Sequence, residues 1–158
     1  MPMALKNILL TLSVVFLCSC SKSMQQQNNT KILKEGIAGQ LIWLEGNLMP
    51  TIDDSRTLPK GQPVQREVHI YALTKTSEAE REDGFYKAVQ TELIQKVMSD
   101  KNGIFKASLP PGKYSIFVKE SQGLFANSFD GYGNITPVEV FKDEVTTISI
   151  EINYMAAY

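Results

Sequence analysis

The chain has few of the side chains that zinc binding and catalysis use most often. Its 158 residues include one histidine, His69, and two cysteines, Cys18 and Cys20. This leaves few ligands for a zinc site and few groups for a catalytic one. The formal net charge is −1, from 16 basic and 17 acidic residues, and lacks the basic excess typical of nucleic-acid-binding proteins. A hydrophobic fraction of 43% argues against wholesale disorder, and the length of 158 residues suits a single domain.

The sequence begins with a short apolar run that follows a basic residue. Ile8–Leu17 comes two positions after Lys6 and is interrupted by only two hydroxyl residues. The run has about half the ~20 residues that a transmembrane helix needs. Its length and position indicate a cleaved export signal rather than a membrane span.

The end of this run resembles the lipobox of bacterial lipoproteins. In Leu17-Cys18-Ser19-Cys20, Leu lies at position −3 and a small residue at −1 before Cys20. The resemblance implies removal of residues 1–19 and lipidation of Cys20, which holds the protein on a membrane without a span. Ser21 after the anchor resembles the outer-membrane sorting pattern of enteric bacteria. The expected location is therefore the bacterial envelope, at the outer membrane. The sequence does not indicate on which face of that membrane the protein lies.

Residues 20–35 are expected to form the lipidated Cys and a flexible tether. Segment 21–35 is polar and includes a Gln-Gln-Gln-Asn-Asn run, so it cannot bury enough apolar surface to fold alone. The loss of Cys18 with the signal and the lipid on Cys20 leave the mature chain without a free thiol or a disulfide. The folded domain is expected over residues 36–158.

From residue 36 onward, apolar and polar residues alternate with the period of half-buried strands. The clearest case is the last, where Ile148, Ile150, Ile152 and Tyr154 share one face. Asn102-Gly103 and Pro111-Gly112 predict a hairpin and a type II turn, while Ser77 with Glu80 predicts a short helix or an ordered loop. The pattern predicts an all-β, seven-stranded sandwich, with strands near 37–45, 64–73, 89–98, 105–109, 114–118, 135–141 and 147–154.

Two motifs in the middle of the chain resemble a known family. Asp100–Phe105 and Leu109–Tyr114 are similar to the D-x-x-G-x-F … L-P-P-G-x-Y signature of carboxypeptidase regulatory-like domains. The resemblance covers about residues 36–154 and implies a Greek-key β-sandwich of the transthyretin or prealbumin-like type. It marks the fold rather than a reaction centre, because its glycines permit turns and Phe105 and Tyr114 point into the core. Members of such families mostly serve as binding, adaptor or spacer modules, so no enzyme activity and no cofactor are expected.

Three long connections interrupt the strands, at residues 46–62, 74–88 and 121–134. If successive strands run up and down, the first and third lie at one end together with the Ser99–Gly103 turn. That end would present a partner-binding surface for a protein or a glycan, formed by Met49, Phe125, Phe129 and Tyr132. The alternative is that Phe125 or Phe129 folds back to cap the sandwich. A second function is a spacer or accessory subunit of an envelope assembly that pairs through a strand edge.

The sequence supports a metal site or a hydrolase site less well than it supports a binding surface. Asp53, Asp100 and Asp130 could converge with other oxygens on Ca²⁺, but the sequence after Asp100 is a fragment of an EF-hand loop without its closing Glu. We therefore expect no metal. His69 falls on the polar face of its strand, where we expect it exposed, and no G-x-S-x-G motif accompanies it.

Overall fold

A computed structural model describes residues 33–49 and 61–158 of the chain. The predicted signal peptide, Cys20, most of the tether and Asp53 lie outside these residues. The described part is all-β and forms two facing sheets, which confirms the expected sandwich-like architecture at this level. Its strands are β1 (Gly36–Asn47), β2 (Gln62–Pro63), β3 (Glu67–Ala72), β4 (Ala79–Glu82), β5 (Phe85–Val89), β6 (Leu93–Met98), β7 (Ile104–Ala107), β8 (Gly112–Glu120), β9 (Gly123–Phe125), β10 (Pro137–Val140) and β11 (Val145–Ala157).

The smaller sheet is built around the first strand. Strand β1 pairs in parallel with β11 on one side and antiparallel with β7 and β2 on the other. The alternation of β11 holds in the structure, because Ile150 and Ile152 are buried and Ser149 and Glu151 are exposed. The first and last strands of the domain are thus neighbours.

The larger sheet has the strand order β4-β5-β9-β8-β3-β6, with β10 along the other half of β8. Strand β8 lies at its centre, and Ile116, Phe117 and Val118 are all buried because both faces of this strand are covered. A continuous apolar run is typical of a strand buried on two sides. Side chains from both sheets meet between them, including Leu41 and Phe105 from the smaller sheet and Ile116 from the larger one. Burial of each such side chain stabilises the fold by about 1.5–3 kcal/mol.

A second apolar cluster covers the outer face of the larger sheet. Phe117 is its centre and contacts Tyr71 and Tyr86 edge-on, at ring-centroid distances of 5.4 and 5.3 Å. Ile135 and Leu124 complete it. The described fold has eleven strands rather than seven because the long connections contain four short ones, β2, β4, β5 and β9. Strands β5 and β9 extend the larger sheet beside β8 and contribute Tyr86 and Leu124 to the cluster around Phe117.

Two turns differ from their predicted form. The hairpin at Asn102-Gly103 exists, but only Gly103 has a positive φ, of +73°, and the turn is organised by Asp100. Gly112 does not have a positive φ, so Pro111-Gly112 is not the predicted type II turn. The expected short helix or ordered loop is one 3-10 turn at Thr76–Glu78.

Candidate functional site

The four predicted binding residues do not form one surface. Phe125 is only 4% exposed and packs against Tyr154 and Phe85, with ring centroids 5.4 and 6.0 Å apart. Its ring therefore follows the alternative expectation and caps the core. Phe129, Tyr132 and Met49 are exposed, at 44%, 86% and 51%.

Met49 and Tyr132 lie at opposite ends of the sandwich. Leu48 donates a backbone hydrogen bond to Ala157, so Met49 is at the end of the long strands β1 and β11. Tyr132 borders a cleft with Leu73 and Lys113, near the end of β3 and the start of β8. The predicted strands do alternate in direction, but the third connection does not stay at one end, because the segment after Phe125 runs back along the sandwich to Thr74 and Lys75.

We call the end of the sandwich that carries Met49 the Asp100 end and define it by Arg66, Ser99–Gly103, Glu120 and Tyr154. Arg66 Nε donates to Glu120 Oε1 at 2.9 Å, and the Tyr154 hydroxyl donates to Glu120 Oε2 at 2.9 Å. The buried Glu120 carboxylate therefore joins the two sheets. Burial and the neighbouring Glu120 carboxylate raise the pKa of Tyr154 to about 12.

The opposite end, the Asp130 end, is defined by Leu73–Thr76, Lys113, Phe129–Asn134 and Glu139. Within it, the Phe129–Gly133 segment is the Tyr132 loop. Asp130 Oδ1 accepts hydrogen bonds from the backbone N–H groups of Tyr132 and Asn134, both at 2.9 Å. Asp130 Oδ2 accepts from Asn134 Nδ2 at 2.7 Å. These bonds to the charged carboxylate hold the pKa of Asp130 below its usual value.

The Tyr132 loop rests on the connection that follows β3. Ile135 N–H donates to Thr74 at 2.9 Å, and Thr76 N–H donates to Gly133 at 2.9 Å. Ile135 is fully buried in the cluster around Phe117. The base of the loop is therefore fixed, while the Tyr132 ring projects into solvent.

A cleft of about 250 Å³ opens beside Tyr132. Lys113 and Glu139 lie in its wall and form an exposed ion pair at 3.7 Å, and Leu73 and Pro137 add apolar surface. The volume is slightly below the range of about 300–1,000 Å³ typical of small-molecule sites. The cleft can hold one side chain or one sugar ring. The Lys113 ammonium, the Glu139 carboxylate and the Tyr132 ring line it and could contact such a group.

The weak calcium candidates do not converge. Asp100 and Asp130 lie at opposite ends, and Asp53 lies outside the described residues. Asp100 Oδ1 accepts hydrogen bonds from the N–H groups of Asn102 and Ile104, both at 2.8 Å, so it organises its own turn. Within residues 33–49 and 61–158, no three His, Cys, Asp or Glu side chains cluster as metal ligands.

The expectation of an exposed His69 was wrong. His69 is 7% exposed, because β3 lies between β6 and β8, with Lys96 and Phe117 as its cross-strand neighbours. Its Nε2 contacts Glu67 Oε1, and this hydrogen bond lowers the pKa of Glu67. His69 Nδ1 has no partner among the described residues. The alternation that placed His69 on a polar face gave no sign that this face is also covered.

Sequence reasoning also missed an exposed apolar strand. Leu93, Ile94 and Met98 of β6 are 40%, 38% and 59% exposed. The sequence placed them in one long strand from 89 to 98 and gave no indication that this strand would break after Val89 and form an edge of the sheet.

In the part of the chain that the structure describes, no helix has the length and hydrophobicity to cross a bilayer. Comparison of the chain with models of known protein families, with curated proteins and with solved structures found no match.

Proposed function

We propose that this chain is a lipid-anchored, non-enzymatic binding module of the bacterial envelope. In this proposal residues 1–19 are a cleaved signal, Cys20 carries the lipid on the outer membrane, and the tether to residue 35 separates the domain from the bilayer. The domain contacts a protein or a glycan through the Tyr132 loop.

The main support for this proposal is that the Tyr132 side chain is exposed on a loop whose backbone is held by hydrogen bonds. A Tyr that is 86% exposed contributes little to the core, yet Asp130 and Asn134 hold the backbone on which it stands. An aromatic side chain on a rigid loop offers a large amphipathic contact area and loses little conformational entropy on binding. Phe129 adds a second exposed ring, and the cleft beside Tyr132 adds polar groups that give orientation.

The proposed fold family is the carboxypeptidase regulatory-like type, with a prealbumin-like Greek key. The two-sheet all-β architecture is compatible with it, as are the burial of Phe105 and Tyr114 and the turn at Asp100–Gly103. Gly112 and the additional strands β4, β5 and β9 depart from the compact pattern.

The Tyr132 loop is tested by capture with the full chain in detergent, scored against envelope proteins and an array of envelope glycans. We expect Phe129→Ala/Tyr132→Ala to lose the captured partner while its thermal unfolding midpoint stays the same. The matched control is Phe141→Ala/Tyr158→Ala, which removes two rings of similar exposure (52% and 68%) elsewhere. Equal capture by the two double variants would refute the loop as the binding surface.

The anchor is tested separately by Cys20→Ala. We expect this variant to remain unprocessed and to lose the mass of the lipid, whereas Cys18→Ala is processed normally. Mass spectrometry of the membrane fraction distinguishes these products. A Cys20→Ala chain that is still cleaved and lipidated would contradict the lipoprotein assignment without bearing on the Tyr132 loop.

One observation favours the second function, an accessory subunit that pairs through a strand edge. Strand β6 ends the larger sheet and carries three exposed apolar side chains.

A further inference from the structure

The end of the tether is fixed to one turn of the folded domain. Gly36, the first residue of β1, donates its backbone N–H to the Glu144 carbonyl at 3.0 Å. The Glu35 carboxylate accepts a hydrogen bond from the backbone N–H of Asp143 at 2.8 Å. Both bonds lead to the turn between β10 and β11. The chain that comes from Cys20 therefore meets the domain beside this turn.

We call this part of the surface the tether tip and define it by Lys34, Glu35, Pro110, Pro111 and Phe141–Val145. The pairing of Gly112 with Val140 brings the two prolines next to Phe141. The backbone of Leu109 lies beside Gly36. The three segments of the tip therefore meet at one end of the sandwich.

The tether tip presents apolar side chains to its surroundings. Phe141 is 52% exposed and Val145 is 37% exposed, and both prolines are exposed as well. A phenylalanine ring at this exposure contributes little to the core. Rings of this kind on proteins that lie on a membrane enter the boundary between headgroups and acyl chains.

The position of the proposed anchor selects the lipid surface as the partner of this tip. Leu33 follows Cys20 by 13 positions, which span at most ~45 Å when extended and ~20 Å on average in a flexible chain. Strand β1 has 12 residues and leads away from the tip over ~40 Å. The Asp100 end could touch the bilayer only if the tether were stretched to nearly its full length along the domain. The tether tip is therefore the nearest part of the domain to the bilayer.

We propose that the tether tip rests on the lipid surface that holds Cys20, with the Phe141 ring inserted among the headgroups. This inference depends on the lipid anchor of the proposed function. The anchor keeps the tip at an effective concentration on the order of millimolar, so that a contact too weak to recruit the domain from solution is sufficient. The tether allows the domain to leave the bilayer, and the tip is the surface with which it returns.

The charges of the tip indicate which lipid surface it fits. The tip carries two lysines and three acidic residues, which are Lys34, Lys142, Glu35, Asp143 and Glu144. This balance gives no net attraction to anionic headgroups, so the contact comes from the apolar ring. We therefore expect contact with a zwitterionic surface that does not depend on salt, whereas a contact driven by charge weakens as salt screens it.

The test places a spin label beside Phe141 in the anchored chain. The full chain is expressed, its lipidation is confirmed by mass, and the mature form is reconstituted into phosphatidylcholine vesicles. In the proposed mature form Cys18 is removed and Cys20 carries lipid, so an introduced cysteine is the only reactive thiol. Lys142→Cys carries the label at the tip. Met155→Cys, at a position that is 60% exposed at the Asp100 end, is the matched control.

We expect the label at position 142 to collide with a water-soluble nickel chelate at most half as often as the same label in Phe141→Ser/Lys142→Cys. The label at position 155 should collide equally often with and without Phe141. Phe141→Trp should keep the protection, because tryptophan also favours the membrane interface. The protection should be the same at low and at high salt. The circular dichroism of Phe141→Ser should match that of the unchanged chain, since the ring is exposed.

Three results would overturn this inference and leave the lipid anchor intact. They are equal nickel accessibility at positions 142 and 155 in a chain of confirmed lipidation, protection that survives Phe141→Ser, and protection that is lost at high salt. A mass without lipid would overturn the anchor and this inference together. None of these results bears on the Tyr132 loop, whose partner is captured in detergent.

Discussion

The two ends of the sandwich each contain a turn with the same hydrogen-bond pattern, but the two turns differ in what surrounds them. In both Asp100–Gly103 and Asp130–Gly133, the Asp Oδ1 accepts from the N–H groups two and four residues later. The Gly N–H donates to the Asp carbonyl, and the Gly φ is +73° in one and +79° in the other. A Cβ on Gly103 would lie 2.4 Å from the Leu41 carbonyl oxygen, whereas one on Gly133 would meet only Thr76 Oγ1 at 3.6 Å.

This difference shows that one local motif can serve either packing or presentation. The Asp100 turn carries the chain from the larger sheet to the smaller one and lies against the backbone of β1, beside the Glu120 carboxylate that joins the sheets. The Asp130 turn has open space around it and projects Tyr132. The first turn is therefore packed against β1 through the buried Gly103, and the second presents Tyr132 to solvent.

The largest difference between the ends is expected from replacing the two glycines. Gly103→Ala adds overlap with Leu41 to an unfavourable φ, so we expect a loss of roughly 2–4 kcal/mol in the free energy of unfolding. Gly133→Ala has only the φ penalty, about 1 kcal/mol. Urea unfolding of the two variants measures both values. Equal losses would contradict the distinction between a packed turn and an open one.

A smaller effect is expected from the Tyr154 hydroxyl at the Asp100 end. Tyr154→Phe leaves one oxygen of the buried Glu120 carboxylate without its donor, which should cost about 1–2 kcal/mol. The raised pKa of Tyr154, about 12 against about 10 for an unfolded chain, means that the folded state holds this proton more tightly. The stabilisation that the protonated Tyr154 hydroxyl provides is therefore fully present below about pH 10 and is lost as the pH rises to about 12.

Unfolding free energies measured across this alkaline range check the assignment. The unchanged chain should lose stability more steeply with pH than Tyr154→Phe does. Tyr132→Phe is the control, because the exposed Tyr132 hydroxyl is not at this end. A parallel decline in the unchanged chain and in Tyr154→Phe would exclude Tyr154 as the titrating group.

The smallest effect on global stability is expected at the Asp130 end in acid. The pKa of Asp130 is lowered by its bonds to Asn134 and Tyr132, so its contribution is present above about pH 4 and is lost as the pH falls through the folded value. We expect the protection of the Tyr132 and Asn134 amides, measured against their intrinsic exchange rates at each pH, to fall below that pH, with little change in the core. In Asp130→Asn, exchange at these amides should no longer respond to acid in this way. Protection that stays constant through the titration would remove Asp130 as the group that holds the loop.

Much of the fold was predictable because half-buried strands leave a local signal. The alternation around Ile150 and the burial of Phe105 and Tyr114 were anticipated correctly. The burial of His69 was not, since whether a second layer covers a strand depends on distant segments. The alternation predicts which residues share a face but carries no information about what lies over that face.

The sequence predicted two of the exposed aromatic residues of the candidate site but not where the four predicted residues lie in the fold. Phe129 and Tyr132 are exposed as expected, yet Met49 lies at the other end and Phe125 in the core. The end at which Tyr132 lies could not be assigned, because the segment after Phe125 returns along the sandwich and its position is fixed by pairing with a distant residue, Lys75 with Asn134. Both Asp-x-x-Gly turns are visible in the sequence, but only the surroundings of each glycine separate them.

The parallel pairing of β1 with β11 also governs when this domain can fold. The smaller sheet joins residues about 110 positions apart along the chain, from Gly36 with Val145 to Asn47 with Ala157. Contacts of such long separation slow folding, because the intervening chain must be closed into a loop first. The first strand must wait for its principal neighbour until β11 has been synthesised. The smaller sheet is therefore incomplete until the end of the chain has been made, which suits a protein that we propose is carried through a membrane before it assembles.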